Sequence, residues 1–311
     1  MPRTHSTRTL VSAASLAKLY QGFLQSLRHK RPETRATYER ALREFLRWYP
    51  GKTPFTFKVA DVERYKHHLT VRKNLSPVSV STYLTALRRF CAYLMHAHVI
   101  RENPADAVGG NRRPQAHTRD HLTAYELDAV LSSVQRTDER GMRDYAFLQL
   151  MAGCALSEIE IVRANVCDVT IESESAILQV QGKGCTKKDQ TVTLPDAARE
   201  ALQRYLAIRA PAKSSDPLFT SAGNRTRGRR MTTRGVRDRI CMYLEEAGLR
   251  QQGGRRITPY SLRHTAAVLM ADKGATADEI RVRLRLGSNA TAMLYINSAH
   301  KNSDQERHHG E

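Results

Sequence analysis

The run Gly109-Gly110-Asn111-Arg112-Arg113-Pro114 constrains the fold of this chain more than any other short stretch. Two adjacent glycines, three polar residues and a proline offer no apolar side chain to bury, so the stretch reads as a linker. It divides a chain of 311 residues, a length that itself favours two domains. Before it, apolar residues recur at helical spacing: Leu16, Leu19, Tyr20, Phe23, Leu24 and Leu27, then Tyr38, Leu42, Phe45, Leu46 and Tyr49. A shorter segment carries Val59, Val62, Tyr65 and Leu69. A fourth opens with Ser76 as N-cap and Pro77 at the first helical position, runs to Leu94, and has Asn103-Pro104 as its exit.

Beyond the linker, Thr123-Ala124-Tyr125-Glu126 forms a capping box that starts a helix, and a longer helix spans about 140–153. Then the period shortens. Residues 176–181 and 190–194 are β-like runs joined through Gly182-Lys183-Gly184, which predicts a hairpin. Helices resume after Pro195, with N-caps expected at Asp196, Thr232, Thr258 and Thr276 and C-terminal caps at Gly248, Gly274 and Gly287. The expected organisation is a helical domain over 1–108, a linker over 109–117, a second domain over 118–300, and a polar, frayed tail over 301–311.

Charge narrows the partner. Fifty Lys and Arg against 31 Asp and Glu leave a formal net charge of +19, which favours a polyanion, nucleic acid first and an anionic membrane second. No run of about 18 apolar residues is present, which excludes a transmembrane helix, and Met1 to Leu10 lacks the apolar core of a secretory signal. Cys91, Cys154, Cys167, Cys185 and Cys241 are odd in number and include no Cys-x-x-Cys pair, as expected of reduced thiols in a cytoplasm and not of a zinc site. Between Asn224 and Arg239 lie Arg225, Arg227, Arg229, Arg230, Arg234, Arg237 and Arg239, an Arg-dense loop feeding a helix, whose guanidinium forks suit phosphate oxygens. Arg88 and Arg89 lie on the polar side of the fourth helix. Duplex DNA is favoured over RNA, because no aromatic stacking platform is legible.

Thr258-Pro259-Tyr260-Ser261-Leu262-Arg263-His264-Thr265 resembles the His-x-Leu-Arg-His-Thr helix of the tyrosine recombinase (phage integrase) family. Tyr295 follows Arg263 by 32 residues within Ala292-Met293-Leu294-Tyr295-Ile296, which looks like the segment holding that family's nucleophile. Val180-Gln181-Gly182-Lys183-Gly184 resembles the family's hairpin with its catalytic lysine, though Lys187 and Lys188 lie close by. The resemblance extends over the whole chain. It implies a mainly α fold: a helical core-binding domain and an α+β catalytic domain with a small antiparallel sheet. It implies attack by Tyr295 on a DNA phosphodiester through a 3′-phosphotyrosyl intermediate, with Arg263 on the phosphate, Lys183 as general acid, and Glu160 and His264 in support. No metal or other cofactor is implied, because the covalent bond conserves the energy for rejoining. Tetrameric assembly on DNA, from one or two kinds of subunit, and a place on a mobile element follow from the same likeness.

Three positions depart from the family pattern. The first arginine precedes an aspartate by eleven residues; with Asp168 setting the register, Ser157 stands there, three residues before the retained Glu160. Ser157 and Glu160 also form a capping box, which by itself accounts for both. The histidine three residues before Arg263 is Tyr260, and the His or Trp nine residues before Tyr295 is Leu286. A serine is a neutral donor and a leucine is none, whereas each lost transition-state donor costs about 10²–10³ in rate. Two functions follow: a recombinase with impaired cleavage, or a catalytically inactive homologue that binds its DNA site as an architectural or regulatory protein.

Overall fold

The computed structural model describes residues 13–49, 57–110, 120–173, 175–182, 185, 187–223, 225–250 and 254–308. The chain divides into two compact units, Met1–Arg113 and Pro114–Glu311, so the boundary falls within the glycine-rich stretch. Its residues 111–117 lie outside the described ones.

The first unit is built from α1 (Ala13–Ser26), α2 (Pro32–Trp48), α3 (Val59–His67) and α4 (Pro77–His96). Proline at the first position of α2 and α4 presets φ where no backbone donor is needed, and Ser76 Oγ accepts from Ser79 N at 3.3 Å. The core is aromatic. The Phe45 ring meets Phe57 at 5.0 Å and Tyr65 at 5.1 Å edge-on, while Tyr49 stacks on it at 5.7 Å. Helix α4 stops at His96, short of Asn103-Pro104; left-handed His98 turns the chain. The loop beyond is held by Arg88, which donates to Ala105 O at 3.0 Å and Val108 O at 2.6 Å.

The second unit comprises α5 (Ala124–Ser132), α6 (Glu139–Cys154), α7 (Glu158–Arg163), β1 (Val169–Ile171), β2 (Ala176–Val180), β3 (Gln190–Thr193), α8 (Asp196–Ile208), α9 (Thr233–Glu246), α10 (Ser261–Asp272), α11 (Ala277–Arg283) and α12 (Asn289–His308). Buried on nearly every side, α6 packs against α8 and α10 and forms the centre of the core. The sheet runs β1-β2-β3, all antiparallel, with Val169 opposite Leu178 and Val180 opposite Gln190. The expected β2–β3 hairpin is present. Strand β1 was not legible, because three residues are too few to show alternation.

Four local expectations need correction. Pro195, not Asp196, holds the cap position of α8; Asp196 sits in the first turn, where the helix dipole favours a carboxylate. Thr258 does not cap α10, which begins at Ser261 after a turn in which Thr258 N donates to Ser261 Oγ at 3.0 Å. Gly248 and Gly274 take the left-handed conformation, but after α11 that conformation belongs to Arg285 and not to Gly287. The tail expected to fray continues α12 as helix through His308.

A buried ionic network ties α6 to α9. Asp144 is fully buried and accepts from Arg143 Nε at 2.9 Å, Arg239 Nε at 2.6 Å and Tyr243 Oη at 3.0 Å. Arg143 Nη1 continues to Thr220 O at 2.7 Å. Asp144→Ala would strand two guanidinium groups; a loss of about 3–5 kcal/mol in stability is expected by urea denaturation.

Candidate active site

The site forms where two turns of the second unit meet α10 and α12. The first turn links α6 to α7. Ala155 closes α6 in the left-handed conformation (φ 51°), a cost of about 1–2 kcal/mol for a residue with a Cβ, and its carbonyl faces the site. Ser157 then starts α7: its N and Oγ both donate to Glu160 Oε2 at 2.7 Å.

Helix α10 supplies the second component. Ser261 to Val268 are all buried, so α10 runs through the interior and its polar side chains must find partners there. Arg263 Nη1 donates to Ala155 O at 2.8 Å and to Glu160 Oε2 at 3.1 Å; its Nη2 donates to Leu284 O. Arg263 Nε is buried and has no hydrogen-bond partner among the described residues.

Arg285 comes from the turn after α11. Leu286 N donates to Arg281 O and Arg285 N to Val282 O, the paired bonds of a Schellman termination. This termination requires a left-handed residue, normally glycine, but here it is Arg285 at φ 51°. Arg285 Nε donates to Glu160 Oε1 at 2.6 Å, while Nη2 reaches Ala155 O at 2.7 Å and Glu160 Oε2 at 3.1 Å. Both guanidinium groups are less than a tenth exposed. Burial would raise the Glu160 pKa, but the hydrogen bond and charge of Arg285 and the charge of Arg263 outweigh it and hold the carboxyl below its ordinary value. These ties are intact at neutral pH and are lost as pH falls through that lowered value.

Tyr295 projects from α12 into a small core with Ala266, Ala267, Ile280 and Leu284 and is 2% exposed. Its hydroxyl lies 2.8 Å from His264 Nδ1, and the Tyr260 ring packs edge-on against His264 at 4.9 Å. Burial, assisted by Tyr260 and opposed by Arg263, raises the Tyr295 pKa above that of a free phenol.

Arg263, His264, Glu160, Ser157, Tyr260 and Tyr295 therefore surround one site, and Leu286 packs against its apolar side. Lys183 lies outside the described residues; Lys188, which could be mistaken for it, is paired with Asp168. Sequence reasoning missed Arg285. The signal is its place directly before Leu286; a C-terminal cap at Gly287 puts the turn two residues too late to single Arg285 out.

The arginines expected at DNA divide into two groups. Arg88 is bonded to its own loop, and Arg230 donates to Val162 O at 2.7 Å and Asn165 Oδ1 at 2.7 Å. Arg89, Arg225, Arg227 and Arg229 are exposed, with no side-chain partner among the described residues, and exposed Arg234 has only Asp238 at 3.7 Å. Among those residues no cluster of three His, Cys, Asp or Glu side chains is placed to hold a metal ion, and no helix is long and apolar enough to cross a membrane.

The model of the phage integrase family matches residues 120–302, and that of the phage integrase N-terminal SAM-like domain matches 19–100. The chain belongs to the phage integrase family. Tyrosine recombinase XerC of Pelobacter propionicus is 27% identical over 279 residues, covering 88% of this chain and 87% of that protein. Tyrosine recombinase XerD of Lacticaseibacillus casei is 24% identical over 264 residues, covering 84% and 86%. Among solved structures, the integrase of transposon Tn1549 in complex with a circular intermediate DNA has a TM-score of 0.70 at 18% identity, covering 92% of this chain and 99% of that one. A lambda integrase dimer bound to a core site reaches 0.69 at 14% identity, covering 90% and 94%. The mainly α architecture with a small antiparallel sheet is thus that of a tyrosine recombinase.

The raised Tyr295 pKa gives a spectroscopic expectation. Tyr295→Phe should leave the phenolate absorbance gained around pH 10 unchanged, because Tyr295 ionises above that range. A smaller gain in the variant would show an ordinary, exposed phenol.

Proposed function

We propose that this integrase-family protein cleaves and rejoins DNA at a specific site through a 3′-phosphotyrosyl intermediate formed on Tyr295. The observation that carries the reading is convergence: Tyr295 from α12, His264 and Arg263 from α10 and Glu160 from α7 meet in one buried, cation-rich site. In the reaction Tyr295 Oη bonds to phosphorus as the P–O5′ bond breaks. In the tautomer that leaves Nδ1 unprotonated, the phenolic proton passes to His264 Nδ1, 2.8 Å away, and Lys183 protonates the departing 5′-oxygen. Rejoining reverses these transfers. Arg263 stabilises charge on the non-bridging oxygens, and its unpartnered Nε–H is a donor held ready for one of them. Cleavage is impaired relative to a site with all its donors, since Ser157 and Leu286 supply no cation. Tyr295 is covered in this state, so DNA engagement must open α12 before attack.

Double-stranded DNA is the partner this reading requires, supported by the +19 charge and the exposed Arg225, Arg227 and Arg229. On the family resemblance drawn from the sequence, we propose further that residues 1–108 and 118–300 act as core-binding and catalytic domains joined by 109–117, and that the protein works as a tetramer within a cytoplasm.

Two outcomes are expected. A nicked duplex chosen by binding selection should trap a covalent adduct without added metal, and Tyr295→Phe should abolish the adduct while binding persists. A tightly bound site that yields no adduct would leave an inactive, DNA-binding homologue. Second, alanine at Arg225, Arg227 and Arg229 should weaken binding at all sequences and reduce the slope of log K against log salt by up to about 3, with thermal stability unchanged. Arg230→Ala should instead lower thermal stability, as it removes ties to α7 and Asn165.

A further inference from the structure

We propose that Arg285 replaces the arginine missing at Ser157 as the second phosphate-binding guanidinium, an assignment that rests on the cleavage reading above. Three observations converge on it. The first is charge. Among the described residues Glu160 is the one carboxylate paired with Arg263 and Arg285, so a buried site with one carboxylate carries two cations. A surplus buried cation is costly unless an anion completes it, and one phosphodiester charge would do so.

The second is geometry. Arg285 and Arg263 converge on the same two acceptors, Ala155 O and Glu160 Oε2, so their guanidinium groups lie side by side. These acceptors flank Ser157, the position where the first arginine is absent. Donors remain for a ligand. Arg263 keeps Nε–H and one Nη2 proton, and Arg285 keeps one Nη1 proton beyond that given to Arg283 O at 2.6 Å.

The third is backbone strain. A left-handed arginine at a helix terminus costs about 1–2 kcal/mol, and glycine would form the same turn without it. Arg285 adopts this conformation while its side chain points inward at Glu160. Strain retained in a buried, cation-rich site marks a residue whose side chain is needed there. A capping role alone would not need a guanidinium.

A purely positioning role, in which Arg285 only steadies Glu160, is the competing account, and substrate charge separates the two. The probe is the nicked duplex that wild type binds, made with either the natural scissile phosphate or a neutral methylphosphonate at that linkage. Thermal melting of each variant is followed in parallel. On the phosphodiester, Arg285→Ala is expected to lower the adduct rate by about 10²–10³-fold. On the methylphosphonate, which has lost the charge Arg285 would meet, the deficit should shrink to within about tenfold. Ser157→Arg added to Arg285→Ala should restore part of the phosphodiester rate, since it returns a guanidinium from the other side of Glu160. If Arg285→Ala melts early, Arg285→Lys, which keeps charge and loses the fork, provides the same comparison. An unchanged rate in Arg285→Ala overturns the assignment alone, and so does an equal loss on both substrates in a folded variant. No adduct from wild type on either substrate overturns the cleavage reading and this assignment with it.

Discussion

The Glu160 carboxylate is the interaction on which the site depends. It receives the N and Oγ of Ser157, two bonds from Arg285 and one from Arg263, and so joins the α6–α7 turn, α10 and the α11–α12 turn. A carboxylate this deeply buried is costly to desolvate, and only its two cationic partners make the arrangement stable. Removing Glu160 would leave two guanidinium groups repelling one another at the base of the site. Its position three residues after Ser157, first legible as a helix cap, is thus also the electrostatic anchor of the cluster.

The same cluster connects fold to dynamics. Arg263 donates to Leu284 O, and Leu284 belongs to the small core that covers Tyr295. The residues that would hold the phosphate are therefore tied to the segment leading into α12. Spare donors that would meet an anion sit on the same nitrogens that hold the carbonyls of Leu284 and Arg283, so substrate binding and the segment leading into α12 share the same two guanidinium groups. In the proposed reaction, substrate charge thus completes a site that is physically tied to the segment carrying the tyrosine.

Much of this was legible in the residues. Helical periodicity marked α2 and α4, Thr123 with Glu126 marked the start of α5, and the likeness to tyrosine recombinase motifs paired Arg263 with Tyr295, 32 residues further on. These signals are local, or are motif resemblances. The missed features are those that long-range contacts decide. Arg88 and Arg230 read as DNA contacts because their charge is visible in sequence, whereas the carbonyls that claim them lie 17 or more residues away. Arg285 was hidden for a related reason: its inward direction comes from a left-handed backbone that sequence assigns to glycine, and two residues later a glycine was available.

The central claim is that two guanidinium groups, one from α10 and one from the α11–α12 turn, meet the substrate beside Tyr295. A structure of the protein on duplex DNA, with the scissile phosphate next to Tyr295, tests it most directly. Its non-bridging oxygens should accept from both Arg263 and Arg285 at about 3 Å. A phosphate bound through Arg263 alone, with Arg285 still bonded to Glu160 and Ala155 O and out of reach, would contradict it.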